Sequence, residues 1–246
     1  MKFLVATILL LGSFLSGSAI GAAFTISPIR IELTARAPMV AVTVRNNDTN
    51  AAAAIQTQTM SWAQVGGKDV YEDTRALVVS PPIFTLAPGG EQVVRIALRG
   101  APAPERESLF RVYFQELPGT VDGPVTSERK PSLRMLLRMG IPVIVGPAAG
   151  KPVAKPVARM ERTTPDKFRV ILQNDGTGHL RVTNLAVTST QTGAEVTKSG
   201  AFYVLPGQWW ASDDFPVVDT DLRGGLRLTA STNTGDLDKL LQPDAP

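Results

Sequence analysis

Pro88-Gly89-Gly90-Glu91-Gln92-Val93-Val94-Arg95-Ile96-Ala97-Leu98 sets a turn directly against an alternating run. Proline fixes φ and glycine tolerates positive φ, so the opening triplet predicts a tight turn. Behind it Val94, Ile96 and Leu98 share one face of an extended chain and Arg95 takes the other, the period of two that marks a half-buried strand. The pattern recurs on both sides. Residues 40–45 alternate and stop at the turn cluster Asn46-Asn47-Asp48; residues 54–62 alternate again; 110–117 reads as a strand stopped by Pro118-Gly119; 132–145 is a long one. Gly146-Pro147-Ala148-Ala149-Gly150-Lys151-Pro152 then breaks the composition, extended by Lys155-Pro156. Strand patterns resume over 167–173, 180–190, 200–205 and 226–231. Asn174-Asp175-Gly176 predicts a hairpin turn between the first two of these. Helix signals are weak, with at most one turn over 234–241. Short strands at regular spacing with Gly/Pro punctuation predict an all-β sandwich architecture in two domains. The expected bounds are 24–147 and 158–246, joined by a hinge at 148–157.

The first 23 residues read as an address. Lys2 gives a positive start, residues 3–15 are mostly apolar, and Gly21-Ala22-Ala23 offers a cleavage site before Phe24. The run is shorter than the roughly 20 residues a bilayer-spanning helix needs, so a cleavable Sec-type signal and a periplasmic location are expected, without stable membrane insertion.

Composition narrows the chemistry. The 246 residues include no cysteine and one histidine, His179, and 25 basic against 22 acidic side chains leave a net charge of +3. Disulfides, thiol nucleophiles and cysteine-ligated zinc are excluded, and multi-histidine metal sites nearly so. The charge is too small to argue for nucleic acid. Asp213-Asp214 and Asp219-Thr220-Asp221 lack the spacing of a calcium loop. His179 reads as a surface histidine in a turn region. The Trp209-Trp210 doublet is explained by core or hinge packing. No enzyme, cofactor or metal is expected.

Pro131-Ser132-Leu133-Arg134-Met135-Leu136-Leu137-Arg138-Met139-Gly140-Ile141-Pro142-Val143 resists an ordinary account. Leu133, Met135, Leu137, Met139 and Ile141 fall on one strand face. A plain core strand is the bland reading. Against it, Pro142 lacks a ladder donor and so favours an edge or strand end, and a long apolar edge strand aggregates unless something covers it. Pairing with another protein by β-augmentation answers both points.

Taken in order, these pieces resemble the periplasmic chaperones of chaperone–usher pilus assembly, the PapD-like family. The resemblance is carried by Ile26-Ser27-Pro28-Ile29-Arg30-Ile31, by Val42-Thr43-Val44-Arg45-Asn46, by Ile55-Gln56 through Trp62, by Leu77 through Gly89 with Gln92-Val93-Val94-Arg95-Ile96, and by Glu107-Ser108-Leu109-Phe110-Arg111 with Gln115-Glu116-Leu117-Pro118. It implies a boomerang of two immunoglobulin-like sandwiches that binds pilus subunits in its cleft, lends them a strand by donor-strand complementation and delivers them to an outer-membrane usher. On this implication Leu133, Met135, Leu137 and Met139 are donor residues, with Ile141 extending the row. Arg30 anchors the subunit's C-terminal carboxylate. The family's second anchoring cation, a lysine, aligns with Pro142, a departure that resembles the archaic branch. Arg138, four residues and roughly 13 Å earlier, and Arg95 are the candidates to replace it. Glu116 is the expected interdomain ion-pairing residue, although its usual arginine partner aligns with Gly146. Self-association of unbound copies is left open. The rival reading is a secreted structural pilin or adhesin; a carbohydrate-active enzyme or lectin would need paired carboxylates or an aromatic platform.

Overall fold

The computed structural model describes residues 24–118, 135–164, 167–216 and 225–242. The leader read over residues 1–23 and the donor candidate Leu133 lie outside them. The chain is all-β, and no described residue is helical.

The first half contains β1 (Phe24–Ser27), β2 (Ile31–Leu33), β3 (Met39–Asn46), β4 (Ala53–Val65), β5 (Lys68–Asp73), β6 (Leu77–Ser80), β7 (Ile83–Leu86), β8 (Glu91–Leu98), β9 (Ser108–Glu116) and β10 (Arg138–Val145). One sheet has the order β1-β3-β8-β6, and the facing sheet the order β2-β10-β9-β4-β5 with β7 also on β4. Phe24, Val42, Ile55, Ile96, Phe114 and Val143 belong to the core between them. The first extended segment is shared between the sheets. β1 pairs antiparallel with β3, the chain turns at Pro28, and β2 then runs parallel to β10. Proline has no donor to continue the first ladder, so the switch falls where the sequence supplies it.

The second half contains β11 (Pro156–Thr164), β12 (Lys167–Asn174), β13 (Leu180–Ser189), β14 (Glu195–Lys198), β15 (Phe202–Val204), β16 (Trp209–Ala211), β17 (Phe215–Pro216), β18 (Leu226–Thr232) and β19 (Gly235–Leu241). Its sheets are β11-β12-β16 with β17 on β12, and β14-β13-β18-β19 with β15 on β13. Their core includes Met160, Phe168, Val170, Leu180, Val182 and Leu228. β11 begins at Pro156, within the expected hinge.

Three expectations are corrected here. Asn174-Asp175-Gly176 does not close a hairpin, because β12 and β13 lie in different sheets. Buried Asn174 makes the crossing: its side-chain oxygen accepts from the N–H groups of Lys155 (3.0 Å) and Gly176 (3.1 Å), and its amide donates to the carbonyls of Gly178 (2.8 Å) and Val204 (3.0 Å). A β-carbon on Gly176 would lie 2.1 Å from the Val153 carbonyl oxygen, so glycine is obligatory there. Residues 234–241 form β19, not a helical turn, because the ladder with β18 supplies their backbone hydrogen bonds. The long strand expected over 132–145 enters the ladder only at Arg138.

The burial pattern of β4 changes phase along its length. Ala53 and Ile55 are buried at one end, Trp62 and Gln64 at the other. Odd residues face the first core, whereas Trp62, with Leu109 and Ile144, lies on the outer face against Leu205 of the second half. Gln64 fixes this junction in three bonds. Its amide donates to Asp69 Oδ1 and the Tyr203 carbonyl, both 2.9 Å, and its side-chain oxygen accepts from the Leu205 N–H at 2.9 Å. Trp209 lies against Gly67, where an added β-carbon would come within 2.7 Å of its ring, and Trp210 stacks on Phe202 at 4.2 Å.

Gln64→Leu keeps the volume but leaves the Tyr203 carbonyl and Leu205 amide without partners. It should cost about 1–3 kcal/mol in urea unfolding and enlarge the radius of gyration in small-angle scattering.

Candidate functional site: an open strand edge beside two guanidinium groups

β10 is paired along its whole length with β9 on one side, from Arg138↔Gln115 to Val145↔Ser108. On its other side, β2 covers only residues 143–145. Residues 138–142 therefore present an unpaired edge among the described residues. The apolar row along this strand grades from solvent to core. Met135 is 81% exposed, Leu137 and Met139 are half-buried against the first core, and Ile141 is 3% exposed within it. Ile141 is thus part of the protein's own core and is not available for donation, a correction that follows from its position one turn of the pleat from Val143.

Arg30 stands where the open edge ends. It precedes Ile31, the partner of Val143, which puts it beside Pro142. Arg30 ion-pairs with Glu32. Together with Glu32, Arg36, Glu107 and His179 it lines a groove of about 550 Å³ between the two halves.

The residue facing Pro142 from the other side is Arg111, on β9. Its guanidinium lies 4.4 Å from the Trp62 ring centroid and 5.4 Å from that of Tyr71, and Nη1 reaches the Gly140 carbonyl at 3.5 Å. Burial pushes the Tyr71 phenol well above its ordinary range; the nearby Arg111 charge opposes that shift. Arg30 and Arg111 thus flank Pro142, two strand spacings or about 10 Å apart at the backbone. The Nε of each is buried and has no hydrogen-bond partner among the described residues. Two guanidinium groups on either side of a strand end suit a carboxylate.

The other candidate cations are not brought to this place. Arg95 is exposed on β8 in the facing sheet, in register with Ala41 and Ser80, while its neighbours Val94 and Ile96 fill the core. Its strand parity points it to the outer surface on the far side of the sandwich. Arg138 stacks on Tyr113 at 4.1 Å and donates from Nη2 to Gln58 Oε1 at 2.9 Å, leaning across β9 towards β4 and away from Arg30.

Glu116 is also displaced from its expected role. It is buried at the end of β9 remote from the second half, about 27 Å along the strand from Ser108, and its N–H donates to the Leu137 carbonyl at 2.9 Å. Glu107 makes the interdomain contact instead. One carboxylate oxygen accepts from the His179 N–H at 2.6 Å and lies 2.7 Å from His179 Nδ1. His179 is 6% exposed, not a surface residue. The Asn233 amide faces its Nε2 at 3.4 Å and donates to its carbonyl. The sequence signals for Arg111 and Glu107 were present in the Glu107–Arg111 motif, but neither carried a pattern that separated it from a surface charge.

The sequence matches, over residues 23–151, the family of pili and flagellar-assembly chaperones through its PapD N-terminal domain. The chain belongs to this family. Among solved structures, this chaperone is similar to the CsuC–CsuE chaperone–tip adhesion subunit pre-assembly complex from the archaic chaperone–usher Csu pili of Acinetobacter baumannii, with 19% identity and TM-score 0.66 over 91% of this chain and 100% of that one. It is also similar to the Pseudomonas aeruginosa CupB2 chaperone, with 18% identity and TM-score 0.56 over 88% and 100%. The Salmonella enterica SafA pilin–SafB chaperone complex gives 18% and 0.56 over 89% and 96%. At these identities the likeness concerns the fold. No curated protein sequence matches the chaperone.

Glu107→Ala removes the acceptor shared by the His179 amide and ring. Left unsatisfied in a buried joint, these donors should lower stability by about 1–3 kcal/mol, read as a lower urea midpoint; an unchanged midpoint would show that the pair contributes nothing to the joint.

Proposed function

We propose that this chaperone is exported to the periplasm behind residues 1–23, captures pilus subunits by lending them a strand, and passes them to an outer-membrane usher. The observation that carries the reading is the half-filled lane beside β10. A subunit strand laid along residues 138–141 would continue the sheet up to Arg30, where the β2 segment takes over the lane. With its carboxylate between Arg30 and Arg111, that strand would run parallel to β10, as β2 does. Leu133, Met135, Leu137 and Met139 would insert into the incomplete sandwich of the subunit, and each side chain buried in this way contributes roughly 1.5–3 kcal/mol before ordering costs. The sandwiches over 24–147 and 158–246, hinged through 148–157, form the walls of the cleft. The CsuC and SafB chaperones were solved with a tip subunit and a pilin respectively, which supports subunits of this kind as the partners. The work consists of lending and withdrawing a strand and makes or breaks no covalent bond.

Co-expression with a pilus subunit encoded beside the chaperone, followed by co-purification from periplasm, tests the reading. Because Met135 is exposed, Met135→Asp should leave stability within about 0.5 kcal/mol while abolishing capture. Ile141→Asp should instead unfold the chaperone itself. Capture that survives both Met135→Asp and Leu137→Asp refutes the donor-strand assignment. Removing either guanidinium, by Arg30→Ala or Arg111→Ala, forfeits a charged hydrogen bond of about 1.5–3 kcal/mol, so each should weaken capture at least tenfold.

A further inference from the structure

We infer that Met135 is an oxidation-sensitive off-switch: a peroxide converts its thioether to a sulfoxide and disables the empty chaperone, and reduction of the sulfoxide restores it. The inference concerns regulation of the proposed function and rests on its donor-strand reading.

The chain has six methionines and no cysteine, so all its sulfur is thioether. Exposure separates the five described methionines. Met160 is 3% exposed in the second core. Met60 and Met139 are half-buried, Met139 against the first core. Met39 is exposed opposite Ala97, in the sheet that faces the one carrying β10. Met135 is the most open of them, at 81%. It stands three residues before the ladder begins at Arg138, beyond Leu137, whose carbonyl accepts from the Glu116 N–H. Access decides which thioether an oxidant reaches, and the periplasm proposed for the chain is an oxidising compartment. The most accessible described sulfur thus lies in the row whose side chains must be apolar to be lent.

The sulfur lone pair attacks one oxygen of hydrogen peroxide. The O–O bond breaks, an S–O bond forms, and the departing hydroxide takes the proton of the transferred oxygen to become water. Sulfur loses two electrons and the peroxide gains them. The product is polar and chiral where the thioether was apolar and pliable. Its oxygen stays hydrated on the empty chaperone, but inside an apolar groove it would be buried without a donor. Oxidation therefore acts on capture and not on the chaperone's own fold. A captured subunit would cover Met135, so the oxidant marks only empty chaperone.

The test treats the full exported chaperone with hydrogen peroxide, removes the peroxide, and adds subunit released in urea from the co-purified complex. Gel filtration reads capture, and peptide mass spectrometry locates the added oxygen. Met135 and Met39 should oxidise well before Met160, and capture should fall about tenfold. Methionine sulfoxide reductases A and B, one for each epimer, should restore it. Met135→Leu, a swap of similar volume, should capture like the wild type and continue to do so after peroxide, whereas Met39→Leu should give no protection. Loss of capture by peroxide-treated Met135→Leu, or oxidation of Met135 as fast in the complex as in the empty chaperone, would overturn the switch. Untreated Met135→Asp separates the two readings. If it captures like the wild type, Met135 is not a donor and the switch falls with that assignment; if it does not, and Met135→Leu gives no protection, the switch alone falls.

Discussion

Three parallel ladder positions, Ile31–Leu33 against residues 143–145, set what the rest of the molecule can do. Because β2 is only three residues long, β10 is closed on both sides where its residues fill the core and open on one side where they do not. The same short pairing places Arg30 at the boundary between the two regimes. Had Pro28 not ended the first ladder, the segment would have continued in the facing sheet, and neither the open edge nor the nearby cation would exist. One donorless residue near the start of the chain therefore shapes an edge more than a hundred residues away.

The second constraint is the dual use of the sheet that carries β4, β9 and β10. Its inner face builds the first core, and part of its outer face, at Trp62, Leu109 and Ile144, is buried by Leu205. The remaining outer face bears Arg111, Tyr113 and Arg138 on an aromatic floor. Docking of the second half thus determines how far Arg111 is desolvated, and it places the Glu107–His179 pair beside the groove that Arg30 lines. The open edge of β10 and the interdomain joint share one sheet and one groove.

Much of this was legible in the residue order. Period-two alternation located β3, β8, β9, β12, β13 and β18, since burial on one face is a local property of the chain. The misreadings arose where a tertiary neighbour changed the rule. Alternation cannot show that Trp62 and Gln64 are covered from outside, so the outer-face junction was invisible. Asn174-Asp175-Gly176 has turn chemistry whether its flanking strands pair or part. His179 looked exposed because its cover, Glu107 and Asn233, comes from distant segments. Arg111 looks in sequence like any other surface charge of its motif, and its place beside Pro142 depends on the β9–β10 register. Ile141 continued the apolar row perfectly, yet the row crosses into the core before reaching it.

The solitary histidine has a practical consequence. Every imidazole signal from this protein originates at the seam between its two halves. The ring sits against Asn233 of its own half on one side and Glu107 on the other, the latter brought there only when the halves are docked. The chain thus carries its own site-specific reporter of domain closure, readable by magnetic resonance without a label and without spectral overlap from any second ring of its kind.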